Sequence, residues 1–262
     1  MSNLTDLLPS GAGGKQVSFT ATGAISSGQT VGLKSDGTVE VIGTEAEAVG
    51  TETEFTSVRI DYTEAVYDVN ANRIVIFYNS NNSGPYGVVG TVSGSSISFG
   101  TPVATGQGQI YSTLGAVYDS TNNKVLFGYR TGTSSGLKVV VATVDPSDNS
   151  ITFGTAAAID DGNNENGGSM AYDANAQRLV VSFPDANNSQ YGAASVGTVS
   201  GTSISFGSAV VFESAYSQNI ATTFDSALSK VVIAYEDSGN SNYGTAVVGT
   251  VSDTSISFGS AA

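Results

Sequence analysis

The stretch Ser203-Ile-Ser-Phe-Gly207 alternates strictly between polar and apolar positions, which sends Ile204 and Phe206 to one side of a strand and Ser203 and Ser205 to the other. The same alternation closes at Phe99, Phe153, Phe206 and Phe258, in steps of 54, 53 and 52 residues. A second marker keeps that beat: Tyr67-Asp68, Tyr118-Asp119, Tyr172-Asp173 and Phe224-Asp225, with steps of 51, 54 and 52. Two markers sharing one period define an internal repeat, the signature of propellers, solenoids and arrays.

Each repeat parses into four strands. The first ends at the Tyr/Phe-Asp pair, and the Asp opens a short turn whose backbone amides its carboxylate can bond. A basic residue, Arg73, Lys124, Arg178 or Lys230, then begins a run such as Val231-Val-Ile-Ala-Tyr235, whose unbroken apolar character predicts burial on both faces. A Ser/Asn/Gly-rich loop leads to a third strand carrying the Gly-Thr-Val phrase, and the alternating Ser-Ile-Ser-Phe-Gly edge is the fourth. Inner strands buried twice and an outer strand buried once make the pattern of a propeller blade between neighbours, at a length that fits four strands. A solenoid rung takes far fewer residues. The expected fold is therefore all-β, a propeller-like array of four-stranded antiparallel blades preceded by a small N-terminal β unit.

The expected boundaries are an extended arm over residues 1–16, a small β anchoring unit and linker over 17–50, and blades over 51–262, at about 51–101, 102–154, 155–207 and 208–262. In the small unit, Val17–Thr22 is strand-like, and Ser35-Asp36-Gly37 between Thr30–Lys34 and Thr38–Ile42 is a hairpin signal. Glu45, Glu47, Glu52 and Glu54 mark Thr44–Thr56 as a linker or exposed edge, and the boundary to the blades falls within it. The last repeat stops at Ser260-Ala-Ala262 where Gly207 runs on into Ser208-Ala-Val-Val-Phe212, so the chain is expected to be a fragment of a longer product or to have its last blade completed by another segment.

Composition changes this picture mainly by exclusion. The chain of 262 residues has no cysteine, histidine or tryptophan, which removes disulfides, thiolate metal sites, the commonest general base and the usual triads. A net charge of −14 argues against a nucleic-acid surface. The first nine residues lack a basic n-region and an apolar h-region, so no export signal is expected. No apolar run approaches the roughly 20 residues of a membrane span.

The phrases Lys230-Val-Val-Ile-Ala-Tyr-Glu-Asp237, Asn240-Ser-Asn-Tyr-Gly-Thr-Ala-Val-Val-Gly-Thr-Val251 and Ser203-Ile-Ser-Phe-Gly-Ser-Ala-Val-Val-Phe-Glu-Ser214 resemble repeats of virion structural and fibre-like proteins of marine tailed bacteriophages, the cyanophage type. The stretch Gly23–Val39 resembles the small β unit that often precedes such repeats. The second repeat departs most, with Leu137-Lys138 in place of Tyr-Gly and Asp145-Pro146 lengthening its turn. The resemblance implies a non-enzymatic virion component, a tail fibre, capsid decoration or tail-associated protein made in the host cytoplasm, with repeats projecting for host attachment. Expected partners are other virion proteins or sister copies in a homo-oligomer, with host-surface glycans beside them and neither nucleic acid nor inserted membrane. The alternative is a carbohydrate-binding, lectin-like propeller.

Several residues are candidates for chemistry. The Tyr-Asp pairs could line an axial channel as a cation site, or the Asp could simply cap its turn. Asp160, Asp161, Asn163 and Glu165 cluster hard oxygen ligands suited to calcium, the one cofactor the sequence raises, though without EF-hand spacing. Tyr86, Tyr191 and Tyr243 recur beside glycine and could stack sugars if they share a face. Leu4, Leu7, Leu8 and Pro9 give the arm apolar residues with no periodic face, and they are the expected assembly anchor. The arginines are Arg59, Arg73, Arg130 and Arg178. Arg73 and Arg178 hold equivalent turn positions, which implies structural use. No catalytic set emerges, and the chain is read as no enzyme.

Overall fold

The computed structural model describes residues 19–26, 29–42, 50–81, 83–132, 136–160 and 167–261. The arm with Leu4, Leu7, Leu8 and Pro9, and the linker residues Glu45 and Glu47, lie outside them. The chain divides into two compact units, residues 1–50 and 51–262.

The first unit holds β1 (Thr20–Ala21), β2 (Val31–Leu33) and β3 (Thr38–Val41), in the order β1-β3-β2. β2 and β3 form the hairpin that Asp36-Gly37 predicts, and β1 lies parallel to β3. Asp36 Oδ1 accepts from the Thr38 hydroxyl at 2.6 Å and from its amide at 2.9 Å, which holds this carboxyl below the usual range.

The second unit is a series of antiparallel sheets, with no α-helix among the described residues. The first sheet contains β4 (Ile60–Asp68), β5 (Arg73–Ser80), β6 (Gly84–Ser93), β7 (Ser96–Phe99) and β8 (Val103–Ala104). The second contains β9 (Ile110–Asp119), β10 (Lys124–Thr131), β11 (Leu137–Asp145), β12 (Ser150–Phe153) and β13 (Ala157–Asp160). The third contains β14 (Ser169–Asp173), β15 (Arg178–Asp185), β16 (Tyr191–Ser200) and β17 (Ser203–Phe206). After β18 (Val210–Asp225), the fourth is completed by β19 (Lys230–Asp237), β20 (Tyr243–Ser252) and β21 (Ser255–Phe258).

Two features differ from the sequence expectation. The outer edge comes in two pieces: β7 and β8 both pair with β6, and β12 and β13 both pair with β11. The first and second sheets thus each borrow an edge segment from the start of the following repeat. The third and fourth sheets are also not separate. β18 pairs with β16 through its first half and with β19 through its second, joining both into one eight-stranded sheet. The cause is local. Residues 100–109 carry Gly100, Pro102, Gly106 and Gly108, which interrupt a strand, whereas Ser208–Asp225 contains neither glycine nor proline.

Successive sheets pack face to face. Val75, Phe77 and Val89 of the first meet Val125, Phe127, Tyr129 and Val140 of the second. Leu126, Val139 and Val141 meet Leu179, Val181 and Phe183 of the third. Val180, Ala194 and Val196 meet Val231, Ile233, Tyr235 and Val247 of the fourth. This is why β10 and β15 carry apolar runs: adjacent residues serve opposite cores, whereas β5 contributes only to the core between the first and second sheets. None of these clusters joins the first sheet to the fourth among the described residues.

Candidate functional site

The repeated polar residues can be assigned one by one. Asp68 accepts from the Ala71 amide at 2.9 Å, Asp119 from Thr121 and Asn122 at 2.9 and 3.0 Å, Asp173 from Asn175 and Ala176 at 3.0 and 2.8 Å, and Asp225 from Ala227 and Leu228 at 2.9 and 3.2 Å. Each turn closes on a left-handed residue, Asn72, Asn123, Gln177 or Ser229, with φ of 54°, 53°, 59° and 54°. These carboxylates are turn caps, and the channel reading of the Tyr-Asp pairs gives way to the capping one. Asp68, Asp119 and Asp173 are buried, each beneath its own turn.

The tyrosine of the pair reaches back to the preceding sheet. The Tyr118 hydroxyl accepts from the Asn70 amide at 3.2 Å while donating to Asn123 Oδ1 at 2.8 Å, and the Tyr172 hydroxyl donates to Thr121 Oγ1 at 2.9 Å. Burial, then the nearby Asp119 carboxylate, pushes the Tyr172 pKa up to about 12. The basic residue reaches forward. Arg73 donates through Nε to Asn149 Oδ1 at 2.6 Å and through Nη2 to the Pro146 carbonyl at 2.8 Å, both in the second sheet's outer turn. Arg178 Nε donates to the Asp253 carbonyl at 3.0 Å in the fourth sheet's outer turn. The two guanidiniums at equivalent positions are thus struts between sheets.

The three candidate sugar-stacking tyrosines do not form one set. Tyr86 pairs with Tyr78 in the sheet register, whereas Tyr191 and Tyr243 pair with Asp185 and Asp237, two residues further along their strands. The reason is visible in the sequence: Gly90 lies four positions after Tyr86, but Gly197 and Gly249 lie six positions after Tyr191 and Tyr243. Tyr86 stacks on Tyr78 with ring centroids 5.7 Å apart, Tyr191 is half-buried, and Tyr243 is 65% exposed. The calcium candidates Asp161, Asn163 and Glu165 lie outside the described residues, and Asp160 ends β13. Among the described residues no three acidic groups gather into a cation cage.

Acidic side chains on the strands of the fourth sheet each have partners. Tyr235 donates to Glu213 Oε2 at 3.2 Å, and burial together with that carboxylate raises the Tyr235 pKa. Gln218 and Asn219 each donate to Glu236 at 2.8 Å, and Asp237 accepts from the Gly239 amide at 2.8 Å. Glu236 and Glu213 are therefore anchored by neutral donors.

Where the repeat is broken, residues are freed from the common scaffold. The second sheet has such a place, an open cleft of 380 Å³ lined by Gln107, Gln109, Tyr111, Thr131 and Lys138 among others. The Arg130 guanidinium stands over the Tyr111 ring at 5.5 Å from its centre. None of the equivalent second-strand positions, Asn79, Pro184 or Glu236, carries a cation. The only sequence signal for the cleft was the second repeat's departure at Leu137-Lys138.

No protein-family model matches this chain, and no curated protein is significantly similar to it.

Proposed function

We propose that this chain is a non-enzymatic structural component of a phage virion, a fibre, decoration or tail-associated protein whose repeats are the blades of a propeller-like array. One observation supports the non-enzymatic part: the recurring polar residues are used as turn caps and inter-sheet struts. The virion part rests on the resemblance of the repeat phrases. A low-charge, acidic surface suits a particle that stays dispersed in salty water. In this reading residues 1–16 hold the protein to a neighbour, and calcium is not needed for folding.

The test is to probe gradient-purified particles with an antibody raised against residues 51–262. Labelled particles support the reading, and a protein confined to the soluble lysate sinks it. Deleting residues 1–16 should leave the sheets folded and abolish incorporation.

A second reading, glycan binding, has one specific foothold. The Tyr111 cleft places an aromatic ring beside amide and ammonium donors, a combination that suits a sugar's apolar face and hydroxyls. Binding on a glycan array that Tyr111→Ala abolishes would favour it.

A further inference from the structure

The three seams between sheets are copies of one interface, and the chain carries both halves of a fourth seam unused. The trailing half is on the fourth sheet. Cross-strand pairs Val75–Val89, Leu126–Val141 and Val180–Val196 are fully buried by the sheet that follows each. Their counterpart is Val232–Val248, in which Val232 is half-buried and Val248 is 47% exposed. β19 therefore alternates between buried and open positions although its sequence is as continuously apolar as that of β10. The residues are those of a covered face, and among the described residues none covers Val248 as its counterparts are covered.

The closing glycine of the repeat makes the same point with tighter geometry. A Cβ on Gly100, Gly154 or Gly207 would lie 2.4, 1.7 or 1.9 Å from the carbonyl oxygen of Asn149, Thr202 or Thr254, in the outer turn of the next sheet. Only glycine lets that turn approach so closely. Gly259 occupies the equivalent place, and a Cβ there would meet nothing nearer than the Val248 carbonyl at 3.9 Å. Lys230, the counterpart of Arg73 and Arg178, likewise reaches no following turn and donates to Thr250 of its own sheet at 2.7 Å.

The leading half is on the first sheet. Val144, Val199 and Val251 pack against the core between their sheet and the preceding one, whereas the equivalent Val92 is 58% exposed. Tyr67 bonds its own Asn72 at 2.7 Å as Tyr118 bonds Asn123, but the amide of a preceding turn, which Tyr118 also accepts from, is absent. Phe55 seals one end of this face against Tyr78 and Phe99, at 5.3 and 5.6 Å, as Phe212 does against Tyr235 and Phe258 in the fourth sheet. The wedge residue is thus already in place for a seam.

We propose that the trailing face of the fourth sheet binds the leading face of the first sheet of a second copy of this chain, head to tail. The incoming outer turn at Ser95 then sits over Gly259, Val92 packs by Val248, and Tyr67 meets the turn that follows Asp225. Such an interface is heterologous, so it builds closed rings or open filaments rather than a two-fold dimer. The inference does not depend on where the protein works, so it can fail while the virion reading stands, and the reverse.

Sedimentation of the full chain over a dilution series tests it, together with Val248→Asp and Val92→Asp. Both positions are exposed in the single chain, so neither variant should lose its melting temperature. The wild type is expected to sediment above monomer mass and to grow with concentration. Each variant alone should be monomeric, and their equimolar mixture should form dimers and nothing larger, because each retains the half that the other lost. Gly259→Ala, which fits the single chain but blocks the turn, should also be monomeric. A wild type that is monomeric throughout, a variant that assembles like wild type, or a mixture that stays monomeric each overturns the proposal.

Discussion

Ile204 and Ser205 are neighbours in β17 and meet opposite surroundings. Ile204 is buried in the core between the second and third sheets, and Ser205 faces solvent. Ile204→Ala should cost about 2–4 kcal/mol in denaturant titrations, from lost burial and the cavity left behind. Ser205→Ala should stay within about 0.5 kcal/mol, as exposed changes usually do. Equal losses at the two positions would reverse the inside–outside assignment. Tyr172 gives a second residue-scale prediction, in pH. Its folded pKa of about 12 stands above the ordinary value of 10, so the folded chain holds the phenolic proton more tightly than the unfolded one. The stability this gives is complete below pH 10 and is lost as pH climbs through 12. In thermal melts the advantage of wild type over Tyr172→Phe should therefore shrink across that window, and a constant gap would refute the sign.

At the scale of the element, the turn after each first strand is the repeated device, and its copies are not equally buried. Asp119 is fully buried and accepts from two backbone amides and from Asn122 Nδ2, whereas Asp225 is partly exposed and accepts from two amides. Asp119→Ala should cost about 1–3 kcal/mol because it strands buried donors, and Asp225→Ala less, since water can replace its carboxylate. Urea titrations of the two variants check the order.

These elements were largely legible beforehand. Period-two alternation places Ile204, Ile256 and the serines beside them, and the Asp-plus-basic pair fixes where the second strand begins. The two-part edge was not legible, because β8 has only two residues and its pairing with β6 is decided in space. The union of two sheets through β18 was readable in principle, from the absence of glycine and proline over 208–225. The shift of Tyr86 could have been counted, whereas the likeness of the three Tyr-Gly phrases concealed it. Least legible was the bare face of β19: its apolar run states what the strand is built to touch and cannot state whether the neighbour is there.

For the whole molecule, stability is a sum over seams. In stacked repeats each unit contacts only its neighbours, so cooperativity weakens toward an uncovered end. The second and third sheets are covered on both faces, while the first and fourth each keep an open one. Amide hydrogen exchange of the dilute chain should therefore be slowest in β10 and β15 and faster in β5 and β19. Uniform protection across the four strands would mean that the ends are covered after all.

The unbroken strand β18 also has a mechanical meaning. A load applied along the chain passes from the first sheet to the second through the glycine-bearing segment after β8, a joint that can swing or peel before either sheet is sheared. Between the third and fourth sheets the same load runs straight down one backbone that is laddered to β16 at one end and to β19 at the other. Those two sheets cannot yield separately without tearing a shared strand. In single-molecule pulling, the last two repeats should therefore give way in a single step of double length, while the first two come apart one at a time.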